Sequence, residues 1–201
     1  MTTAQTIRNH IEDLAFGELL TATRLLEAGF GSRDAIDQTL SRLYRAGVIA
    51  RIARGVYTKP RASRFGGVVL PDPAALAHAF AKLRGLTLQL DGAEAIRRFG
   101  LSTQMSAQLS FQTNGRTRTL YVGKLNVRLE HAPNKMLLLA GRLAGQALTA
   151  LQYIGRERIK AQDIHTVLEQ LPAPERNALT PALPNLPRWL ADPLSLALTS
   201  A

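Results

Sequence analysis

The side chains that could do chemistry in this sequence are mainly basic, and many of them lie in two stretches without any acidic residue. The first stretch runs between Asp37 and Asp72, and the second runs between Glu94 and Glu130. They contain seven and six basic residues, which is 13 of the 25 in the chain. Guanidinium groups gathered in this way can pair with phosphate oxygens and with the edges of bases, whereas a solvated positive surface is the simpler interpretation. The basic residues are Arg42, Arg45, Arg51, Arg54, Lys59, Arg61 and Arg64 in the first stretch, and Arg97, Arg98, Arg116, Arg118, Lys124 and Arg128 in the second.

The composition fits a globular protein with an anionic partner. The chain has 201 residues, of which 46% are hydrophobic, and a formal net charge of +10. This is enough for one large domain or two small ones with a packed core. The positive charge by itself indicates only attraction to polyanions. The N-terminal residues lack the apolar run of a secretory signal, and the apolar residues 136–148 are too few to span a membrane, so we expect a cytoplasmic protein.

Motifs of catalysis or metal binding are not recognisable in the sequence. There is no cysteine, which excludes disulfides, thiol nucleophiles and cysteine-based metal sites. Phosphate-binding loops, dinucleotide-binding motifs and hydrolase motifs are also missing. The four histidines, His10, His78, His131 and His165, are scattered without the spacing of metal ligands. We therefore predict that the protein is not an enzyme and uses no cofactor and no metal.

The first basic stretch lies within a region whose apolar spacing predicts three helices. Ile7, Ile11 and Leu14 recur on one face of the first helix, and residues 18–28 form the second. The third begins after Ser32, a favourable N-cap, and ends at Gly47.

The third predicted helix has an apolar side and a polar side. Ile36, Leu40 and Leu43 fall together and are expected to be buried. The opposite side ends in two arginines and carries side chains that can form hydrogen bonds with base edges. The candidate base-reading residues are Arg33, Gln38, Ser41, Arg42 and Arg45.

A basic hairpin is predicted directly after the third helix. The pattern changes to a period of two, which indicates short strands at residues 48–52 and 56–58 around Arg54-Gly55. Three helices followed by a basic hairpin describe a winged helix-turn-helix, in which the third helix can enter the major groove of DNA. The same fold could instead serve as a protein-interaction module. The candidate contacts of the wing with DNA are Arg51, Arg54, Tyr57, Lys59 and Arg61.

The rest of the chain predicts a second domain. We expect the winged helix-turn-helix at residues 1–60, a linker at 61–73, and a mixed α/β C-terminal domain at 74–201 with a small antiparallel sheet and several helices. The whole chain is thus of the α+β class. Asn114-Gly115 predicts a hairpin between strands 109–113 and 117–122, and Gly123-Lys124 predicts the next turn.

Two helices and an aromatic anchor are expected after these strands. Apolar spacing predicts a helix over residues 135–154 and another over 161–171. Trp189, the only tryptophan, is expected to anchor the C-terminal segment.

Several short motifs are spread over both predicted domains. In the winged helix they are residues 35–43 (AIDQTLSRL), 47–52 (GVIARI) and 54–57 (RGVY), and in the second domain residues 92–93 (GA), 100–104 (GLSTQ), 113–118 (TNGRTR) and 186–189 (LPRW). Through these motifs the chain resembles AbiEi-like antitoxins, the transcriptional-repressor halves of bacterial type IV toxin–antitoxin pairs in abortive infection. The resemblance extends from about residue 5 to 195.

This resemblance implies a DNA-binding repressor that autoregulates its operon through inverted repeats. It also implies an antitoxin paired with a nucleotidyltransferase-like toxin, without a stable complex between the two. The second basic stretch would then face phosphates or recognise an RNA or nucleotide substrate of the toxin, unless its charges only keep a sheet edge soluble. A stand-alone winged-helix regulator and a winged-helix RNA- or protein-interaction module are the alternatives.

Overall fold

The computed structural model describes residues 2–64, 66–104 and 108–200, with the backbone alone at Ser200. The chain divides into two compact units. One comprises Met1–Gly85 with Thr119–Val127, and the other comprises Leu86–Arg118 with Arg128–Ala201. Helices alternate with short strands in antiparallel pairs, so the predicted α+β class is confirmed.

The first unit begins with three helices and a three-stranded antiparallel sheet. The sheet order is β1-β3-β2, so the last strand in sequence lies in the middle. The apolar faces of α1, α2 and α3 form one buried core beside this sheet. The elements are α1 (Thr3–Asp13), β1 (Leu19–Thr21), α2 (Ala22–Glu27), α3 (Arg33–Arg45), β2 (Ala50–Ala53) and β3 (Val56–Thr58).

The third helix forms as the sequence predicts. The Ser32 hydroxyl accepts a hydrogen bond from the Ala35 N–H at 3.4 Å, which caps the helix. Ile36, Leu40 and Leu43 are each at most 4% exposed. Burying a side chain of this size contributes about 1.5–3 kcal/mol, so the apolar face holds α3 against the core and directs its polar face outward.

The predicted second helix is wrong in its first part. Leu19–Thr21 is a strand that pairs with β3, and only Ala22–Glu27 is helical. The backbone of these three residues gains a ladder of hydrogen bonds along β3, a partner about 40 residues away that local spacing does not reveal. The Thr21 hydroxyl then accepts from the Arg24 N–H, so one residue ends the strand and caps the helix. Leu26, near the end of α2, is exposed.

The predicted linker contains a small antiparallel pair of strands, β4 (Arg61–Ala62) and β5 (Val68–Val69). Phe65 of this linker lies outside the described residues. Helix α4 (Pro73–Arg84) follows, with Asp72 as its N-cap. The predicted C-terminal domain begins at residue 74, whereas α4 groups with the first unit.

The remaining elements form a four-stranded sheet and a helical core. The sheet order is β6-β7-β9-β8. Phe99 and the buried faces of α6 and α7 form the helical core, against which Trp189 packs. The elements are β6 (Leu88–Leu90), α5 (Gly92–Arg98), β7 (Leu109–Thr113), β8 (Arg118–Val122), β9 (Leu125–His131), α6 (Leu143–Ile154), α7 (Ala161–Glu169), α8 (Ala173–Leu179) and α9 (Arg188–Ser200), with 3-10 helices at Asn134–Met136 and Thr180–Asn185.

The hairpin predicted at Asn114-Gly115 is wrong, because β9 lies between β7 and β8. Neither residue has the positive φ that a two-residue type I′ turn requires. The Asn114 side chain instead accepts a hydrogen bond from the Thr87 N–H at 2.9 Å. The turn predicted at Gly123-Lys124 does join β8 to β9, and Gly123 has a φ of +65°.

The helix predicted over residues 135–154 begins later than expected. Its regular part is α6, which starts at Leu143. Leu139 and Gly141 have positive φ values of 55° and 83°, which no α-helix accommodates. The apolar spacing is present on both sides of this interruption, so it alone does not locate the start of the helix.

Neither a membrane helix nor a metal cluster is found among residues 2–64, 66–104 and 108–200. No helix there is both long and apolar enough to cross a bilayer. No group of three or more His, Asp or Glu side chains there is placed to hold a metal ion.

Candidate nucleic-acid interface

The outward face of α3 presents most of the residues predicted to read bases. Gln38, Arg42 and Arg45 are exposed, and Ser41 is half-buried. Neither Arg42 nor Arg45 forms an ion pair with a carboxylate in the part of the chain that the structure describes. The face therefore offers hydrogen-bond donors and two uncompensated positive charges to an outside partner.

Arg33 differs from the other candidates on α3 because it has a partner of its own. Its Nε lies 2.8 Å from the Asp37 carboxylate, one helical turn away. Both side chains are about half exposed, and such a surface pair contributes only about 0.2–1 kcal/mol. A phosphate could therefore replace Asp37 as the partner of Arg33 at little cost.

The turn between β2 and β3 carries Arg54 at its tip. Arg54 and Arg51 are exposed, and Gly55 has a φ of +71°. The Tyr57 ring lies 6.3 Å from the ring of Tyr44 on α3, which ties β3 to that helix. The strand that follows the turn is thereby held beside α3.

Replacing Gly55 by valine is expected to destabilise this turn by about 1–3 kcal/mol, because a β-branched residue is strained at positive φ. Nothing lies within 4 Å of the position that a Cβ would occupy, so the cost is conformational and not steric. Urea denaturation of Gly55→Val and Gly55→Asn measures it. Asparagine tolerates this φ far better, and an equal loss of stability in both variants would contradict the explanation.

Lys59 and Arg61, two further candidates for DNA contacts, are used within the unit. The Lys59 ammonium donates a hydrogen bond to the carbonyl oxygen of Glu12. The Arg61 guanidinium lies over the ring of Phe16, 4.7 Å from its centre. These contacts attach the chain after β3 to the last turn of α1 and to Phe16 in the segment that follows it. A role of Lys59 and Arg61 in DNA binding therefore stays a prediction.

Five arginines of the first unit surround one cleft of about 680 Å³, which we call the arginine cleft. Three of them, Arg33, Arg51 and Arg54, are candidates from the sequence, and Tyr57 lines the same cleft. The other two, Arg24 and Arg84, were missed.

Neither charge clustering nor spacing in the sequence relates Arg24 and Arg84 to the other three arginines. Arg24 lies between Glu18 and Glu27, outside the stretches without acids. Arg84 is on α4, 30 residues after Arg54, and only the fold brings them together.

The second basic stretch is partly neutralised by the acids that bound it. Arg97 forms an ion pair with Glu94, and Arg128 forms one with Glu130 at 2.7 Å. The hydrogen bond from Arg97 lowers the pKa of the Glu94 carboxyl below its usual value. Residues three apart on a helix, or two apart on a strand, lie on the same side, so these pairs are local.

The other four basic residues of the second stretch occupy different elements. Arg98 is exposed at the end of α5, and Arg118 donates a hydrogen bond to the Arg116 carbonyl oxygen at 3.3 Å. Lys124 lies in the turn between β8 and β9, in the segment that groups with the first unit. The predicted patch is therefore not one set of unpaired charges.

Comparisons with known proteins identify a family but not an activity. None of the curated proteins matched the chain. Among solved structures, the crystal structure of the RV2827C protein from Mycobacterium tuberculosis is similar, with a TM-score of 0.53 and 16% sequence identity over 98% of this chain and 76% of that chain. A likeness at this identity concerns the fold alone. A family model described as a family of unknown function, DUF6088, matches residues 6–178, so this chain belongs to the DUF6088 family.

Proposed function

We propose that this protein is a DNA-binding transcriptional repressor whose N-terminal unit is a winged helix-turn-helix. The observation that carries the proposal is the exposed polar and basic face of α3 beside a basic turn between two strands. The element order α1-β1-α2-α3-β2-β3 and the sheet order β1-β3-β2 support it. A helix with its side chains is about 10–12 Å wide, which matches the roughly 12 Å major groove of B-DNA.

The two parts of this surface have different tasks in the proposal. Arg45 and Arg42 can each pair with a guanine through two hydrogen bonds, and Gln38 can pair with an adenine in the same way. Contacts of this kind carry the sequence preference. Arg54 at the wing tip meets the backbone or the minor groove and contributes affinity for any duplex.

We further propose that the repressor autoregulates its operon and acts as the antitoxin of a type IV pair. The support is the resemblance to AbiEi-like antitoxins. The protein would act in the cytoplasm by binding and not by catalysis, and its nucleotidyltransferase-like toxin would form no stable complex with it. A downstream reading frame for such a toxin is the discriminating observation, because without one a stand-alone regulator fits better.

Footprinting on the DNA upstream of the gene tests the repressor proposal. We expect protection of two inverted half-sites, with weaker binding as salt rises from about 50 to 200 mM. A scrambled duplex of the same length is the matched control. Equal affinity for the upstream and scrambled DNA at every salt concentration would show that the chain is not a sequence-specific repressor.

Replacing Arg54 by alanine is expected to weaken binding to all duplexes alike. Because one phosphate contact releases about 0.9 counterion, the slope of log affinity against log salt should become shallower by about one unit. Titrations of operator and scrambled DNA at four salt concentrations measure this. Arg156→Ala, at an exposed position of the second unit, is the control. An unchanged slope would remove Arg54 from the phosphate contacts.

A further inference from the structure

The arginine cleft has a charge excess that the protein itself does not compensate. Two acids, Glu27 and Asp37, line it together with the five arginines, which leaves an excess of three positive charges. The Asp37 carboxylate forms an ion pair with Arg33. Within residues 2–64, 66–104 and 108–200, no carboxylate lies within ion-pairing distance of the other four, which are Arg24, Arg51, Arg54 and Arg84.

The arginines of the cleft belong to elements packed in the first unit. Arg24 is in α2, whose first turn is capped by the buried Thr21. Arg84 is in the last turn of α4, where its guanidinium lies 5.9 Å from the ring centre of the buried Phe80. Arg51 and Arg54 come from β2 and the turn that follows it. Four arginines from α2, α4 and the β2–β3 hairpin thus line one cleft, and their like charges favour an anion in it.

The donors around the cleft fit an anion with several oxygens, such as phosphate. A guanidinium presents its N–H groups as a planar fork that matches two phosphate oxygens. Thr23 and Tyr57 line the same cleft, and a hydroxyl can donate to a phosphate oxygen. The volume of about 680 Å³ lies within the ~300–1,000 Å³ typical of ligand sites. The lining is charged and polar instead of apolar, which selects a ligand with several negative charges.

We propose that the arginine cleft is a phosphate-binding site that includes Arg24 and Arg84. Two sources of phosphate share this chemistry. The first is the DNA backbone, since Arg51 and Arg54 belong both to the predicted DNA contacts of the wing and to the arginine cleft. This source rests on the proposed function. The second is a free polyphosphate group, such as that of a nucleotide, which does not rest on it.

The test compares two double variants that remove the same charge from the same unit. Arg24→Gln with Arg84→Gln changes the cleft, whereas Arg8→Gln with Lys82→Gln changes exposed residues that do not line it. Lys82 is on the same helix as Arg84, so both variants lose one positive charge from α4. Thermal unfolding of both variants checks that each is folded at the temperature of the titrations.

Two titrations separate the sources of phosphate. Calorimetry with tripolyphosphate should show binding to the wild type and to the control variant, with affinity roughly tenfold lower or more in the cleft variant. Salt titration with a scrambled duplex should give a slope one to two units shallower in the cleft variant if the DNA backbone is the ligand. A loss of tripolyphosphate binding with an unchanged slope assigns the cleft to a free polyphosphate.

The proposal is overturned if the cleft variant equals the control variant in both titrations. Failure of the proposed function is recognised separately, by the ratio of upstream to scrambled affinity in the wild type. If that ratio is one while tripolyphosphate binding depends on Arg24 and Arg84, the repressor function fails and the phosphate site stands.

Discussion

Arg45→Ala should remove most of the preference for the operator and leave the protein folded. The side chain is exposed in the last turn of α3, so its loss costs little stability beyond about 0.3–1 kcal/mol of interaction with the helix dipole. A lost two-hydrogen-bond contact with a base costs about 1–3 kcal/mol, which is a factor of about 5–150 in affinity for the operator. Affinity for scrambled DNA should fall far less.

The informative control for Arg45→Ala is Arg45→Lys. Lysine keeps the charge but lacks the planar fork, so it should retain binding to scrambled DNA without restoring the full preference. Operator and scrambled affinities measured side by side at one salt concentration give the result. If Arg45→Ala and Gln38→Ala both keep the wild-type ratio of affinities, α3 is not the helix that reads the sequence.

A large loss of stability in the first unit is expected from Leu40→Ala. Leu40 is 1% exposed on the buried face of α3, and truncation of such a leucine costs about 2–5 kcal/mol through lost burial and the cavity that remains. For a unit of this size, each kcal/mol lowers the melting temperature by about 4–8 °C. DNA binding should therefore be lost on mild heating, because the helix that carries the polar face no longer stays packed.

Leu26→Ala is the matched control for Leu40→Ala. It is the same chemical change in the same unit, but Leu26 is 42% exposed on α2. We expect a loss below about 1 kcal/mol there, as for most surface substitutions. Thermal unfolding followed by circular dichroism measures both variants. Similar melting temperatures for the two would mean that the face with Leu40 does not hold α3 in place.

The elements that the sequence predicts well are those whose signals are local. Ser32 caps α3, and the spacing of Ile36, Leu40 and Leu43 identifies its buried face. Once that face is buried, the helix period places Gln38 and Arg45 on the outside. Most of the candidate surface on α3 could therefore be predicted without coordinates.

The errors concern residues whose partners are distant in sequence. The apolar spacing from Leu19 onward fits a helix, but pairing with β3 makes its first part a strand. Asn114-Gly115 is a strong local turn signal, yet β9 occupies the place beside β7. In both cases the hydrogen bonds of a nonlocal strand outweigh a local preference of about 1 kcal/mol or less.

The sequence by itself determined the charge of +10, the two stretches without acids, and the polar face of α3, because composition and periodicity along one helix need no partner. Only the tertiary structure decided which distant basic residues share a surface. It gathered arginines from α2, β2, the turn after it and α4 around one cleft. The physical reason is that an electrostatic interaction depends on distance in space, which the fold sets, and not on separation along the chain.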